Sequence, residues 1–408
     1  MNIKGLSLKQ NFKWGFLGNV IYSASQWGIL IAMAKIGSAE MVGLYTLGLA
    51  ISGPIQIFLN LQLRSLQVTD LKDSYKFNDY LVVRTFTSML SMLIIILIAI
   101  FGGYNNYTKL VLIFVGLLKA VESISDLFYG LMQKHERVDY ISFSKVLRGV
   151  VSLGIFSISL LYTNNLIIAL LMMLLVWKIV LLIFDIRVGK KIVSVNFNFN
   201  LNNFKRILIT TLPLGFAHTL SSLNTNIPRY FLEGNFGADQ LGYYASIAYF
   251  IVVGDTIISS LSLSVLPRIT RYINGSDKLN LKKLLLKLEI FGFVVGIVAV
   301  IGAWLLGEYI LEFVYSTEFA KYNNVFVIVM VAAAFNYMSA FLGECITGFR
   351  KFRIQLILSV SWVVITLFSS RFLIPLYGIK GAAISLLISS ITIFITRLFT
   401  VSILIKRM

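Results

Sequence analysis

Residues 39–45 read Ala39-Glu40-Met41-Val42-Gly43-Leu44-Tyr45, and residues 238–244 read Ala238-Asp239-Gln240-Leu241-Gly242-Tyr243-Tyr244. Each string follows one long apolar run and opens the next. The two lie 199 residues apart, close to half the 408-residue chain. A second echo pairs Tyr129-Gly130-Leu131 with Thr347-Gly348-Phe349, each ending an apolar run ahead of a basic segment. Repeats at matching positions in a run of apolar segments are the mark of a duplicated membrane protein.

Working outward from these strings, a helix needs ~20 apolar residues to cross ~30 Å of hydrocarbon. Twelve stretches meet that need: 13–35, 43–63, 81–101, 109–131, 144–162, 165–185, 208–232, 242–265, 285–306, 324–346, 354–374 and 380–403. Six spans separate the members of each repeated pair, so the halves share one orientation. The expected fold is an all-α polytopic membrane protein, with twelve transmembrane helices in two parallel six-helix bundles around a central cavity. The halves are expected at 1–200 and 201–408.

Composition excludes most other classes. Hydrophobic residues make up 58% of the chain and charged residues 13%, about half the ~25% of a soluble globular protein. The single cysteine, Cys345, excludes an internal disulfide, a CxxC redox pair and a four-ligand zinc cluster. No metal site or cofactor is expected. The basic start followed by an apolar run resembles a signal peptide, yet the run continues to Lys35 without a small-x-small cleavage site and reads as an uncleaved first span.

Lysine and arginine near span ends are retained in the cytoplasm. With both termini inside, inner segments and their span ends hold 28 of the 36 Lys and Arg, and outer segments hold six, namely Lys35, Lys109, Arg229, Lys321, Arg371 and Lys380. Lys119 and Lys178 lie within spans. That asymmetry predicts cytoplasmic termini, and it accounts for the net charge of +18 without nucleic acid as a partner. Residues 278–288, KLNLKKLLLKL, form a basic amphipathic stretch read as a surface helix leading into the ninth span.

The chain resembles the polysaccharide (O-antigen type) flippases of the multidrug/oligosaccharidyl-lipid/polysaccharide exporter superfamily. The resemblance runs along essentially the whole chain. It is carried by Gly43-Leu44-Tyr45 at the start of span two, and by Asn226-Ile227-Pro228-Arg229-Tyr230-Phe231 leading through Gly237 to Gly242-Tyr243-Tyr244. It implies a bacterial cytoplasmic (inner) membrane location and alternating access. It also implies an undecaprenyl-diphosphate-linked oligosaccharide repeat unit, moved from the cytoplasmic to the periplasmic leaflet, as in lipopolysaccharide O-antigen synthesis. Membrane lipids and other polysaccharide-assembly membrane proteins would be its partners.

A diphosphate head needs cations along a polar path, and the planar fork of arginine suits phosphate. Arg64, Arg84, Arg148 and Arg268, at cytoplasmic span ends, are expected to contact substrate or to anchor the helices at the interface. The matching family motif implies that Arg229 faces the cavity; its alternative is an ion pair with Glu233, four residues on. Lys119 and Lys178 are the two cations deep in spans. Gln26 and Trp27, mid-span, are expected either to meet a sugar face or to pack against lipid.

Carboxylates deep in spans are costly and face a cavity or a partner. Lys119, Glu122 and Asp126 share one helical face, and one lysine neutralises one carboxylate, leaving the other for ion coupling or for another helix's cation. Asp255, mid-span with no cation within four residues, and His218 are the further coupling candidates. A cation-coupled multidrug exporter of the same superfamily would use the same carboxylates. A glycosyltransferase or polymerase is disfavoured by the absence of D-x-D and of any long outer loop. No Walker A, GxSxG or HExxH motif occurs either. The chain reads as a transporter, not an enzyme.

Overall fold

Inside a bilayer every backbone amide must find its partner within the protein, so an apolar chain of this kind can span only as helix or closed barrel. The computed structural model describes residues 5–70, 74–194 and 200–408. Among those residues it is helical throughout, with no strand. Five residues of the expected segment 186–207, residues 195–199, lie outside the described set, as does Lys72.

The helices begin where the sequence supplies caps. Helix α1, Leu8–Ile36, opens on Ser7, whose hydroxyl accepts from the Gln10 amide while the Gln10 side chain accepts from the Ser7 N–H at 3.0 Å. Helix α2, Ala39–Asn60, is capped by Ser38, and α5, Asn106–Lys134, by Asn105. Between α2 and α3, Leu63–Thr69, the chain turns through Leu61 and Gln62 at φ of 53° and 52°. Helices α4, Phe77–Phe101, and α6, Val138–Thr163, flank α5 in the sequence. Helix α7, Leu166–Val180, runs through a π-helical turn, Leu181–Asp185, into α8, Ile186–Ile192.

The remainder is α9, Leu201–Asn274; α10, Lys278–Val314; α11, Thr317–Ala320; α12, Asn323–Gly348; and α13, Phe352–Arg407. Contacts divide the chain into two compact units, Met1–Ser222 and Leu223–Met408. In the first, α5 packs against α2, α3, α4 and α7, while α1 lies along α6. In the second, α12 is flanked by α10 and α13.

Among the described residues, nine helices are long and apolar enough to cross a membrane. Two are of double length and bend rather than loop. Helix α9 breaks at Gly237, φ 81° and ψ −179°, and α13 at Gly378, φ 56° and ψ −132°. Where short outer connections are expected after 232 and 374, single glycines in conformations closed to side-chain-bearing residues turn the chain. Helix α5 is 29 residues long but stands outside the nine because Lys109, Lys119, Glu122 and Asp126 interrupt its apolar run.

Outside the spans, Asp70 closes the α3–α4 connection. Its carboxylate accepts from the Ser74 and Tyr75 amides, both at 3.0 Å, and from the Tyr80 hydroxyl at 3.3 Å. Burial alone would raise this carboxyl, but the backbone and hydroxyl donors outweigh it and hold the group below its ordinary value. A lowered folded value stabilises the native state fully above the unfolded carboxyl, ~3.9, and the contribution fades as pH falls through the lowered value. Asp70→Asn should therefore lower the Tm of the detergent-solubilised protein at pH 7, and the gap from wild type should close as pH drops below about 4.

A Cβ at Gly237 would meet nothing within 4 Å, so a substitution there tests backbone conformation alone. Gly237→Ala should cost about 1–3 kcal/mol, read as a fall in thermal unfolding temperature.

Candidate functional site

The polar face of α5 organises the first unit. Its Asp126 carboxylate is held from two neighbouring helices: Arg64 of α3 at 2.9 Å and Arg84 of α4 at 3.8 Å. Arg64 also donates to Gln133 at 2.9 Å. Arg84 is fully buried and donates to the Asn60 side-chain carbonyl and, at 3.2 Å, to the Ser123 hydroxyl. Ser123 in turn donates to Asn60 at 2.9 Å. One helical turn before Ser123, Lys119 pairs with Glu122 at 2.8 Å, and Tyr22 of α1 donates to the other Glu122 oxygen at 3.2 Å.

These side chains line a cavity of about 320 Å³, together with Gln56 and Asn60 of α2. Three cations, Arg64, Arg84 and Lys119, face two carboxylates, Glu122 and Asp126, so the cavity carries a surplus positive charge. The Nε and Nη2 of Arg84 are buried without a hydrogen-bond partner. Buried guanidinium donors without a hydrogen-bond partner are costly, and the Asp126 carboxylate, 3.8 Å from Nη2, offsets part of that cost. The lone carboxylate that the α5 sequence pattern leaves over has two arginine partners here.

Arg148 of α6 is buried apart from that cavity. It pairs with Asp185 at 3.2 Å and donates to Ser125. Both partners are inaccessible, at 2% and 0% side-chain exposure, so solvent does not screen this pair. Ser144 donates to the second Asp185 oxygen at 2.6 Å and shares a 2.8 Å hydrogen bond with Tyr129. The Trp177 ring covers the guanidinium, 5.1 Å from centroid to Cζ. The π-helical turn ends on Asp185, and such an inserted residue resets which face the following residues occupy. Sequence reading missed Asp185 because it stands at the end of the sixth apolar run, where a charge passes as a loop residue. The signal available was a lone acid facing the lone deep arginine of the preceding span.

The other expected residues are dispersed. Lys178 lies on the exposed face of α7, and His218 and Arg268 are exposed on α9. Arg268 donates to Tyr272 at 3.1 Å. Gln26 and Trp27 are half-buried on α1, and the Gln26 amide nitrogen is buried without a partner. Arg229 is half-buried and donates to Asn226 at 3.2 Å; its Nε is buried without a partner, and no ion pair to Glu233 forms among the described residues.

The second unit holds a larger cavity of about 590 Å³ between α9, α12 and α13, lined by Asp255, Ser262, Glu344, Gln355 and Arg397 among others. Arg397, a residue the sequence reading passed over, donates to the Ser339 carbonyl and hydroxyl, both at 2.9 Å, and lies 4.9 Å from the Trp362 ring centroid. Neither Asp255 nor Glu344 forms an ion pair among the described residues. Elsewhere in this unit Asn224 joins Thr366 and Ser389, with Thr366 donating to Asn224 at 2.6 Å.

The fold matches an inward-facing multidrug resistance MATE family transporter of the MOP superfamily, with TM-score 0.70 at 14% identity over 96% of each chain. It also matches the lipid II flippase MurJ in an inward closed conformation, with TM-score 0.77 at 13% identity, over 94% of this chain and 86% of that one. The polysaccharide biosynthesis protein family matches residues 8–273, and the chain belongs to that family. It is 30% identical over 389 residues to the capsular polysaccharide biosynthesis protein CapF of Staphylococcus aureus, covering 95% of this chain and 97% of that protein.

Breaking the Arg148–Asp185 pair on one side leaves a buried charge uncompensated. Asp185→Leu should cost about 3–5 kcal/mol, and the double change Arg148→Met with Asp185→Leu should recover most of it. Thermal unfolding in detergent distinguishes the two.

Proposed function

We propose that this protein is a flippase, carrying an undecaprenyl-diphosphate-linked oligosaccharide repeat unit from the cytoplasmic to the outer leaflet by alternating access. The observation that carries the reading is Arg84: fully buried, with two guanidinium nitrogens open, on a cavity where Arg64 and Lys119 add positive charge. A diphosphate presents the oxygens such donors lack. Neutral sugars alone would not require them, and a cationic drug would be repelled. The relative CapF is a capsular protein, which favours a capsule-type repeat unit over the lipopolysaccharide O-antigen as the cargo.

The same reading takes the chain across the membrane twelve times. Seven of the nine candidate spans cross once, the two bent at Gly237 and Gly378 cross twice, and α5 supplies the remaining crossing. An even number leaves both termini on one side, and the lysine and arginine asymmetry assigns that side to the cytoplasm. Of the proposed coupling groups, Glu122 and Asp126 are committed to ion pairs, which leaves Asp255, on the larger cavity, and the exposed His218.

A second reading, cation-coupled multidrug export, draws its support from the larger cavity, where Asp255 and Glu344 form no ion pair among the described residues. One experiment separates the two: accessibility of lipid-linked sugar heads in inverted vesicles with and without the protein. The flippase reading expects sugar heads to accumulate on the cytoplasmic face without the protein and wild type to relieve it. Arg84→Ala, present at normal membrane levels, should lose about tenfold or more of that activity. Arg84→Lys should restore only part, because an ammonium keeps the charge and loses the fork. A leaflet distribution indifferent to the protein would sink the flippase reading in favour of drug export.

A further inference from the structure

Helix α10 is longer than a membrane requires. Its 37 residues extend about 55 Å, against ~30 Å of hydrocarbon. The stretch from Ile290 to Gly307 carries no charge and is bounded by Glu289 and Glu308. At 1.5 Å per residue it matches the hydrocarbon thickness. The residues that precede it, from Glu289 back towards Lys278, therefore leave the hydrocarbon and pass through the headgroup layer.

Burial divides this segment cleanly. Leu281 and Leu285 point inward, into a cluster with Ile269, Cys345, Ile346 and Val401, and Leu288 is buried on the same side of the helix. Leu279 and Leu286 are exposed, at 64% and 62%, and the exposed stripe continues down the helix through Ile290, Phe293 and Ile297. Lys282, Lys283 and Lys287 are exposed as well. At 100° per residue, Lys282 falls on one flank of the exposed leucines, and Lys283 and Lys287 fall on the other. The outward face is thus an apolar strip continuous with the lipid-facing helix and edged by ammonium groups on both sides. The segment is braced: Asp277 caps it through the Asn280 amide at 3.0 Å, and Lys278 donates to the Lys406 carbonyl at 3.3 Å.

We infer that the first three turns of α10 form a binding site for an anionic glycerophospholipid, its acyl chain along Leu286, Ile290 and Phe293 and its phosphate between Lys282 and the Lys283–Lys287 pair. Charge complementarity selects the occupant. Within Lys278–Leu288 there are four lysines and no carboxylate, and the lysine stems reach along apolar surface to hold their heads at phosphate level. The site rests on the cytoplasmic placement of this end of α10 for its biological leaflet. Its chemistry does not depend on which lipid the protein moves.

The test uses the full chain in symmetric phosphatidylcholine vesicles, so neither orientation nor transport enters. A bimane fluorophore on Leu286→Cys reports quenching by doxyl-labelled phosphatidylglycerol and by doxyl-labelled phosphatidylcholine at equal mole fraction. The expected quenching ratio is about fivefold in favour of phosphatidylglycerol. It should fall to about one in K282Q/K283Q/K287Q and persist in the arginine counterpart K282R/K283R/K287R. On the unaltered lysine background, raising salt from about 0.1 M to about 1 M should erode it, which keeps the idea testable if the glutamine variant fails to fold. A ratio of about one with all lysines present, or one indifferent to salt, overturns the site. Relief of quenching by polyprenyl diphosphate far beyond that by unlabelled phosphatidylglycerol also overturns it, assigning the strip to the carrier lipid instead.

Discussion

Charge inside a low-dielectric medium is costly unless an opposite charge or well-placed dipoles answer it, and in this protein that constraint falls most heavily on α5. A helix bearing Lys119, Glu122 and Asp126 within two turns has little reason to sit in lipid. It does so because α1, α3 and α4 bring Tyr22, Arg64 and Arg84 to it, and because α2 adds Asn60 as a shared acceptor. Ionisable groups within spans face a bundle interior or a polar cavity, and α5 packs against α2, α3, α4, α6, α7 and α8 of its unit. The surplus of one cation in its cavity follows from this assembly, since α3 and α4 supply two arginines where one would balance Asp126.

The second unit solves its polar burial differently. Arg397 is answered by a carbonyl, a hydroxyl and an indole face in place of a carboxylate. Asn224, Thr366 and Ser389 satisfy one another with neutral groups. Neutral networks carry no net charge through the hydrocarbon and tolerate small displacements of their helices, whereas a buried ion pair such as Arg148–Asp185 is costly to separate. The two units thus differ in electrostatics: the first is bound by ion pairs, and in the second Asp255 and Glu344 form none among the described residues.

The helical class was legible in the sequence because hydrocarbon leaves a chain so few options. The echoes Tyr129-Gly130-Leu131 and Thr347-Gly348-Phe349 also have a physical basis. A Cβ on Gly130 would meet the Gln67 side chain, and one on Gly348 would press on Ile273 and Ile269. Both glycines serve close helix packing. The α5 triad was legible by its spacing, and Arg64 and Arg84 by residue type. What was hidden depends on rotation about a helix axis and on partners far away in the chain. No spacing in the sequence announces the π-helical turn that ends on Asp185, and Arg397 reads as a tail cation until Ser339 and Trp362 are seen around it. Lys178 and His218 illustrate the converse, because position within an apolar run gives depth and not direction. Gly237 and Gly378 were visible as residues, but that each bends a continuous helix required backbone angles.

A carrier must release what it binds, and the balance around Arg84 bears on that. A cavity of three cations with no carboxylate would hold a diphosphate tightly through charge-assisted hydrogen bonds. Here Asp126 already engages Arg64 at 2.9 Å and approaches Arg84 to 3.8 Å, so an incoming phosphate must share both guanidinium groups with a resident carboxylate. The gain on binding is the difference between two pairings and not the full value of one. The same carboxylate is in place to reclaim the arginines as the ligand leaves, which spares the protein a buried unpaired charge in the empty state. On the flippase reading, Asp126 limits affinity, and an exchange of anionic partners at Arg64 and Arg84 keeps both the loaded and the unloaded cavity near electrostatic balance.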